Sequence, residues 1–245
     1  MAFKEKLELT TSWANEMAII ESWIRPRIDS AGTLQILEAG CGQKWDLDLG
    51  ATGYFLTGVD LDAAALKLRV EVSKDLHRAI VGDLRTVEIK SGSFDVIYNS
   101  FVLEHVPGAE QVLENFTRWL KPGGLLVIRI PDPYSVHGYM SRVTPHWFHV
   151  FFYRHVMGAV NAGMPGYAPY PVHYDGVVSQ DGIRDFCNRN GLCLVSLYGT
   201  GGYFRPGKGL LKLGIPIFKR LVSLVSLGRL SSSHNDLLYL IKKND

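Results

Sequence analysis

From Leu34 onward, short apolar runs alternate with stretches in which apolar residues recur at helical spacing. The runs are LQILEAG, YFLTGVD, HRAIVGD, FDVIYNS and GGLLVIRIP. Between them lie LDAAALKLRVEVSK and GAEQVLENFTRWLKPG, the second with Val112, Leu113, Phe116 and Leu120 on one helical face. Strand and helix in alternation predict a parallel sheet covered on both faces. Upstream, Trp13, Met17, Ile20 and Ile24 share one face of a helix predicted over 12–29, a cover for that sheet. Downstream, SQDGIRDFCNRNGLCLVSLY (179–198) predicts a capped helix, a stop at Gly191 and a sixth strand, and HNDLLYLIKK (234–243) a seventh.

The pattern contains no internal repeat and no low-complexity linker, and it divides as one domain over 1–245. A helical cover (1–33) precedes the alternating core (34–131), a segment dense in aromatics (132–178) follows, and an insertion (205–233) separates the sixth and seventh strands. Within that insertion Lys219, Ser223 and Ser226 share one helical face, opposite Phe218, Leu221, Val222, Leu224 and Val225. From Arg205 to Lys243 there are eight Lys and Arg against one acid, Asp236. An amphipathic basic segment of this kind suits anionic lipid headgroups. The competing reading is a helix pair that closes a pocket or packs on another subunit.

Charge and cysteine usage narrow the class. With 26 Lys and Arg against 24 Asp and Glu, the net charge of +2 gives no reason to expect nucleic acid. Cys41, Cys187 and Cys193 lack the CxxC spacing of a zinc or redox site and fit a reducing cytoplasm. The start, MAFKEKLELTTSWANEM, has no apolar signal-peptide core, and no run approaches the roughly 18 apolar residues of a membrane span. The expectation is a cytoplasmic protein with peripheral membrane contact through 207–230.

Ligands of parallel sheets bind outside the carboxyl ends of the strands. Here those ends are Glu38 to Gly42, Asp60, Asp83, and Asn99 with Ser100. An Asp in such a place is also a common turn or N-cap residue. Gly40 and Gly42 let a ligand approach the backbone, but the dinucleotide fingerprint requires a third glycine where this chain has Trp45. Glu38 would repel a pyrophosphate, and no Walker loop is present. A carboxylate at Glu38 suits an ammonium or sulfonium, Asp60 suits the two hydroxyls of a ribose, and Asp83 suits the amino group of an adenine. The ligand so described is a nucleoside whose other end is cationic.

The series EAGCG (38–42), GVD (58–60), GDL (82–84), FDVIYNSFVLEHV (94–106) and LKPGG (120–124) resembles the class I S-adenosylmethionine-dependent methyltransferases, in the branch with many small-molecule and lipid methyltransferases. The resemblance covers about residues 34–131. It implies a Rossmann-like, seven-stranded, mostly parallel sheet with helices on both faces and the last strand antiparallel. It implies S-adenosyl-L-methionine as cofactor, with Glu38, Ala39, Gly40 and Gly42 near the methionine moiety and Asp60 and Leu61 at the ribose. Asp83 and Leu84 fall at the adenine, and Asn99, Ser100 and Phe101 beneath the methyl donor. The chain departs from the pattern at Lys44, where a further glycine is usual, and in WDLDLGATG, which predicts a shortened first helix. Phe101 replaces the Glu through which some relatives bind magnesium, so no metal is expected and Glu104 and His105 read as structural.

The resemblance places substrate loops, within 132–178, after the fifth strand. His137, His146, His149, His155 and His173 lie there, five of eight histidines in the chain. His149 and His155 sit in an aromatic helix-like run and read as packing, leaving His137 and His173 as candidate bases. Amino methyltransferases of nucleic acids carry an N/D-P-P-Y-type tetrapeptide where this chain has NSFV. The expected acceptor is therefore a small molecule, a hydroxyl of a lipid-like, sugar or natural-product substrate. Two other classes stay open: an NAD-linked oxidoreductase, which would share Asp60, and a non-catalytic cofactor-binding scaffold. The sequence leaves the acceptor atom and the oligomeric state undetermined.

Overall fold

In the computed structural model, which describes residues 7–164, 167–201 and 211–245, the apolar runs become neighbouring strands of a single sheet. The strands are β1 (Glu8–Thr10), β2 (Leu34–Ala39), β3 (Tyr54–Asp60), β4 (Arg78–Val81), β5 (Phe94–Ser100), β6 (Leu120–Pro131), β7 (Leu192–Thr200) and β8 (Asp236–Lys243). They lie in the order β4-β3-β2-β5-β6-β8-β7-β1, with β8 antiparallel to both β6 and β7 and every other pair parallel. The helices are α1 (Trp13–Ala31), α2 (Ala63–Leu68), α3 (Ala109–Trp119), α4 (Val136–Val143), α5 (His146–His155), α6 (Gln180–Arg189) and α7 (Leu211–Val225).

The two-residue period of the strands sorts the core into two layers. Leu37, Ile97, Leu126, Ile128 and Tyr239 point to the face covered by α3 and α6, where Val112, Phe116, Trp119, Ile183 and Phe186 pack. Their chain neighbours Ile36, Val96, Leu125, Val127 and Leu240 point the other way, onto Met17, Ile20 and Ile24 of α1. Helix α1 starts where Ser12 Oγ accepts the Asn15 N–H. Helix α3 borrows its cap from far along the chain: Asp175 accepts the N–H groups of Gly108 and Ala109 at 2.7 and 2.9 Å.

Two expectations are corrected. The sheet has eight strands instead of seven, because Glu8–Thr10 pairs parallel with Tyr198–Thr200 and covers what would have been an open edge. The stretch WDLDLGATG forms no helix at all. Gly50 and Gly53 take φ values of 87° and 89°, and Leu47 and Leu49 are buried from a segment without helix or strand. Trp45 then packs edge-on against Tyr98, their ring centroids 5.6 Å apart.

Arg129 of β6 is buried and ties α1 to the strand ends. Its Nε donates to Glu16 Oε1 at 2.8 Å, and its Nη1 donates to Tyr98 Oη at 3.0 Å and Ser100 Oγ at 2.8 Å. Glu104, in the short turn after β5, has a different environment. It is buried, its Oε2 has no partner, and its backbone carbonyl accepts the His173 N–H at 2.7 Å.

Burial pushes the Glu104 carboxyl up to about 8 from an ordinary value of 4.5. The folded state therefore favours the protonated acid. Its contribution to stability is complete below about pH 4.5 and is lost as pH rises through about 8. Glu104→Gln should melt with wild type near pH 4.5 and several degrees above it at pH 9, as measured by scanning calorimetry. Parallel melting curves at both pH values would contradict this.

Candidate active site

Chain direction brings the polar strand ends to one edge, on either side of the point where β2 has β3 on one flank and β5 on the other. After β2 the backbone turns through Gly40 and Gly42, at φ 73° and 51°. A Cβ on Gly40 would fall 2.3 Å from Val102, so the turn also requires glycine for space. Asp60, ending β3, fixes this loop: its Oδ2 accepts the Gly42 N–H at 2.8 Å and its Oδ1 the Asp62 N–H at 2.9 Å. A carboxylate offers about four acceptor positions, so Asp60 can still receive hydroxyl donors.

Two of the predicted acids are already paired. Glu38 accepts from Arg69 Nη2 at 2.8 Å, while the same guanidinium donates to Cys41 O at 2.8 Å and to Asp75 Oδ1 at 2.6 Å. The cation that Glu38 meets is thus Arg69, which shapes the glycine loop from below. Asp83 accepts from Arg85 Nη2 at 2.5 Å and from the Arg85 N–H at 2.9 Å, and this partner holds its carboxyl below the usual range. Leu84 is buried in the core, and Leu61 is 72% exposed. Ala39, the last residue of β2, is buried, and its carbonyl accepts from Asn99 Nδ2 at 2.8 Å. Asn99 is fully buried at the end of β5, and its Oδ1 has no partner. Ser100 accepts from Arg129, and Phe101 takes a left-handed φ of 56°.

A cavity of about 520 Å³ lies on the same edge of the sheet, beyond the ends of β6 and β7 and before the start of β8. Helices α4, α5 and α7 wall it with Met140, Phe148, Phe152 and Phe218, and His137, His149 and Lys219 also line it. Burial and the neighbouring Lys219 push His137 down to about 4, which keeps its imidazole neutral and makes it a weak base. His173 is exposed and lies outside the cavity lining, beside Glu104.

A different histidine has the geometry of a base. His234 Nε2 sits 2.7 Å from Asp132 Oδ2, with both residues buried. Because a carboxylate only accepts, that contact places the proton on Nε2 and leaves Nδ1 as an acceptor. Nδ1 faces the hydroxyls of Ser231 at 3.1 Å and Ser233 at 3.2 Å, and Ser233 lines the cavity. Asp132 is fixed in turn by the Tyr134 N–H at 2.8 Å and by Gln180 Nε2 at 3.2 Å. Sequence reasoning missed this dyad because its members are about a hundred residues apart. The available signal was topological: Asp132 follows the fifth strand of the pattern and His234 opens the seventh.

The acceptors at the glycine loop fit a cationic nucleoside better than a phosphate. Asp60 retains acceptor capacity, Asn99 Oδ1 is an orphaned acceptor, and Arg69 and Arg85 are already paired with carboxylates. Among the described residues no group of three His, Cys, Asp or Glu side chains is arranged to hold a metal ion. A family model described as a methyltransferase domain matches residues 37–128. A ubiquinone biosynthesis O-methyltransferase of Nitrosococcus oceani is 34% identical over an alignment of 145 positions that covers 53% of this chain and 61% of that protein. A phosphoethanolamine N-methyltransferase of Triticum aestivum is 30% identical over 112 residues, 42% of this chain and 22% of that one. The chain thus matches less than two thirds of the length of either relative. Among solved structures, an S-adenosylmethionine-dependent methyltransferase of Methanosarcina mazei superposes with a TM-score of 0.56 at 16% identity, over 89% of this chain and 97% of that one. The [4+2]-cyclase SpnF also gives 0.56, at 11% identity, over 99% of this chain and 88% of that one, a likeness of fold. The motif order and the matched domain agree that residues 37–128 are similar to a methyltransferase domain, and the strand order is that of the fold seen in S-adenosylmethionine-dependent methyltransferases.

Proposed function

We propose that this protein transfers a methyl group from S-adenosylmethionine to a small-molecule acceptor held in the cavity between α4, α5 and α7. The observation that carries this reading is the juxtaposition on one sheet edge of the Asp60 and Asn99 acceptors with an apolar cavity of about 520 Å³. The cofactor supplies an electrophilic methyl on a sulfonium. The chain's own part is to hold the two reactants in line and exclude water. Asp60 would hold the ribose, the Gly40–Gly42 backbone the methionine end, and Asn99 with Phe101 the region of the transferred group.

The two relatives are named for methylation of oxygen and of nitrogen. The Asp132–His234 dyad favours oxygen. A hydroxyl acceptor must lose a proton, and the hydroxyl of Ser233 can take it while passing its own to His234 Nδ1. An amine acceptor only needs to be unprotonated and has no use for such a relay.

Helix α7 supports contact with a membrane surface. Lys219 and Ser223 turn inward, while Leu221, Leu224 and Val225 are left outward at 55–85% exposure. Trp147 and Phe151 of α5 are likewise exposed, and Arg220 and Arg229 supply positive charge nearby. Among the described residues no helix is long and apolar enough to cross a membrane.

Three measurements test these readings. Asp60→Ala should weaken S-adenosylhomocysteine binding at least about tenfold by calorimetry, the loss expected for hydrogen bonds to a charged group. Unchanged affinity would discredit the cofactor assignment. In a screen of hydroxylated metabolite and lipid extracts with labelled methyl donor, His234→Asn should slow transfer by roughly 10²-fold or more while leaving S-adenosylhomocysteine affinity intact. A rate equal to wild type would remove the dyad from the mechanism. The double variant Leu221→Asp, Leu224→Asp should lose cosedimentation with anionic liposomes, and equal sedimentation of both proteins would sink the membrane reading.

A further inference from the structure

The cavity has a charge character that its apolar walls conceal. Among the described residues that line it there is no Asp and no Glu, whereas Lys219 and Arg220 both do so. Lys219 is partly buried, and its ammonium donates to Asn235 Oδ1 at 2.7 Å, a neutral acceptor. No carboxylate of the described residues comes within ion-pair distance of Lys219 Nζ; Asp236 acts on it only at longer range. An ammonium has three N–H donors, so donors beyond the one on Asn235 remain. Of the other titratable groups lining the cavity, His137 is held neutral, so it cannot compensate the charge.

A charge held at the wall of an apolar space without a counterion is costly, and the cost falls when a ligand brings the opposite charge. Burial pushes the Lys219 ammonium below its usual range, in keeping with that cost. The volume of about 520 Å³ lies inside the range of small-molecule sites and leaves room for an apolar body beyond the charged end.

We infer that the cavity takes an amphiphilic anion, with its carboxylate, phosphate or sulfonate on Lys219 and its apolar body against Met140, Phe148, Phe152 and Phe218. The inference deepens the acceptor reading and rests on it only for the claim that the bound anion is the molecule methylated. Binding stands on the cavity itself. Arg220, on the exposed side of α7, adds positive charge on the approach to the site.

The test uses the full chain and a pair of fluorescent probes of similar shape, anionic anilinonaphthalene sulfonate and neutral N-phenylnaphthylamine. Lys219→Met should weaken the sulfonate about tenfold or more and leave the neutral probe within about twofold. Ser141→Trp, which fills the cavity, should abolish both. Competition separates the sources of the anion. Displacement by laurate marks a free amphiphile and displacement by phosphatidylglycerol vesicles a lipid headgroup, and each supports the inference when dodecanol and phosphatidylcholine vesicles do not compete. Sulfonate binding that survives either substitution unchanged would overturn it, as would equal loss of both probes in Lys219→Met or competition by neither anion. S-adenosylhomocysteine titration of the same variants keeps the two readings apart. Failure of the probes with intact cofactor binding refutes the anion site and leaves methyl transfer standing.

Discussion

The glycine loop holds its shape because of one buried guanidinium. Arg69 reaches Glu38 at the end of β2, the carbonyl of Cys41 inside the loop, and Asp75 beyond α2, so three separate segments converge on a single planar group. Burial pushes Glu38 upward, toward about 8, and the guanidinium works against that shift. A pair of this kind is a weak source of net stability, but losing either member leaves an uncompensated charge in the interior. Its value here is positional. With Cys41 O anchored from below and Gly42 N–H anchored to Asp60, the loop has little freedom to collapse onto the strand ends. Arg129 repeats the arrangement one layer away, joining Glu16 of α1 to Tyr98 and Ser100.

This also explains what could and could not be read from the chain beforehand. The sheet, its helical cover and the glycine loop follow from local periodicity and from residues within a few positions of each other, and all were legible. Asp60 was legible for the same reason. Glu38 and Asp83 stand out in the sequence as strand-end acids, but their arginine partners do not. Arg69 lies on a helix-like stretch with no distinguishing spacing, and Arg85 reads as an ordinary loop residue. Three residues near the start, Glu8–Thr10, were invisible as a strand because a strand so short has no period of its own and exists only through β7.

Helix α7 shows a subtler failure of pattern. Its amphipathicity was plain in the sequence, and the usual rule sends the apolar face inward. In the fold the face with Lys219 and Ser223 turns in, because the space beneath is a cavity bordered by Asn235 instead of a solid core. Periodicity identifies two faces but carries no information about what either one meets. The cavity therefore draws together residues about a hundred positions apart, whereas the contacts that shape the glycine loop all fall within residues 34–131.

That division bears on the order in which a growing chain can become a working protein. Residues 34–131 contain five consecutive strands that pair with one another, only β6 having a further partner outside them, so the glycine loop and Asp60 can be in place while β7 and β8 are still being made. The cavity has to wait. Its lining includes Asn235, the His234–Asp132 contact beside it spans the chain from β6 to β8, and β6 gains its second neighbour only when β8, ending at Lys243, has been synthesised. Even β1, far upstream of β7, has no partner until Tyr198–Thr200 exists. During synthesis the glycine loop can form as soon as β6 is complete, whereas the cavity closes only with β8.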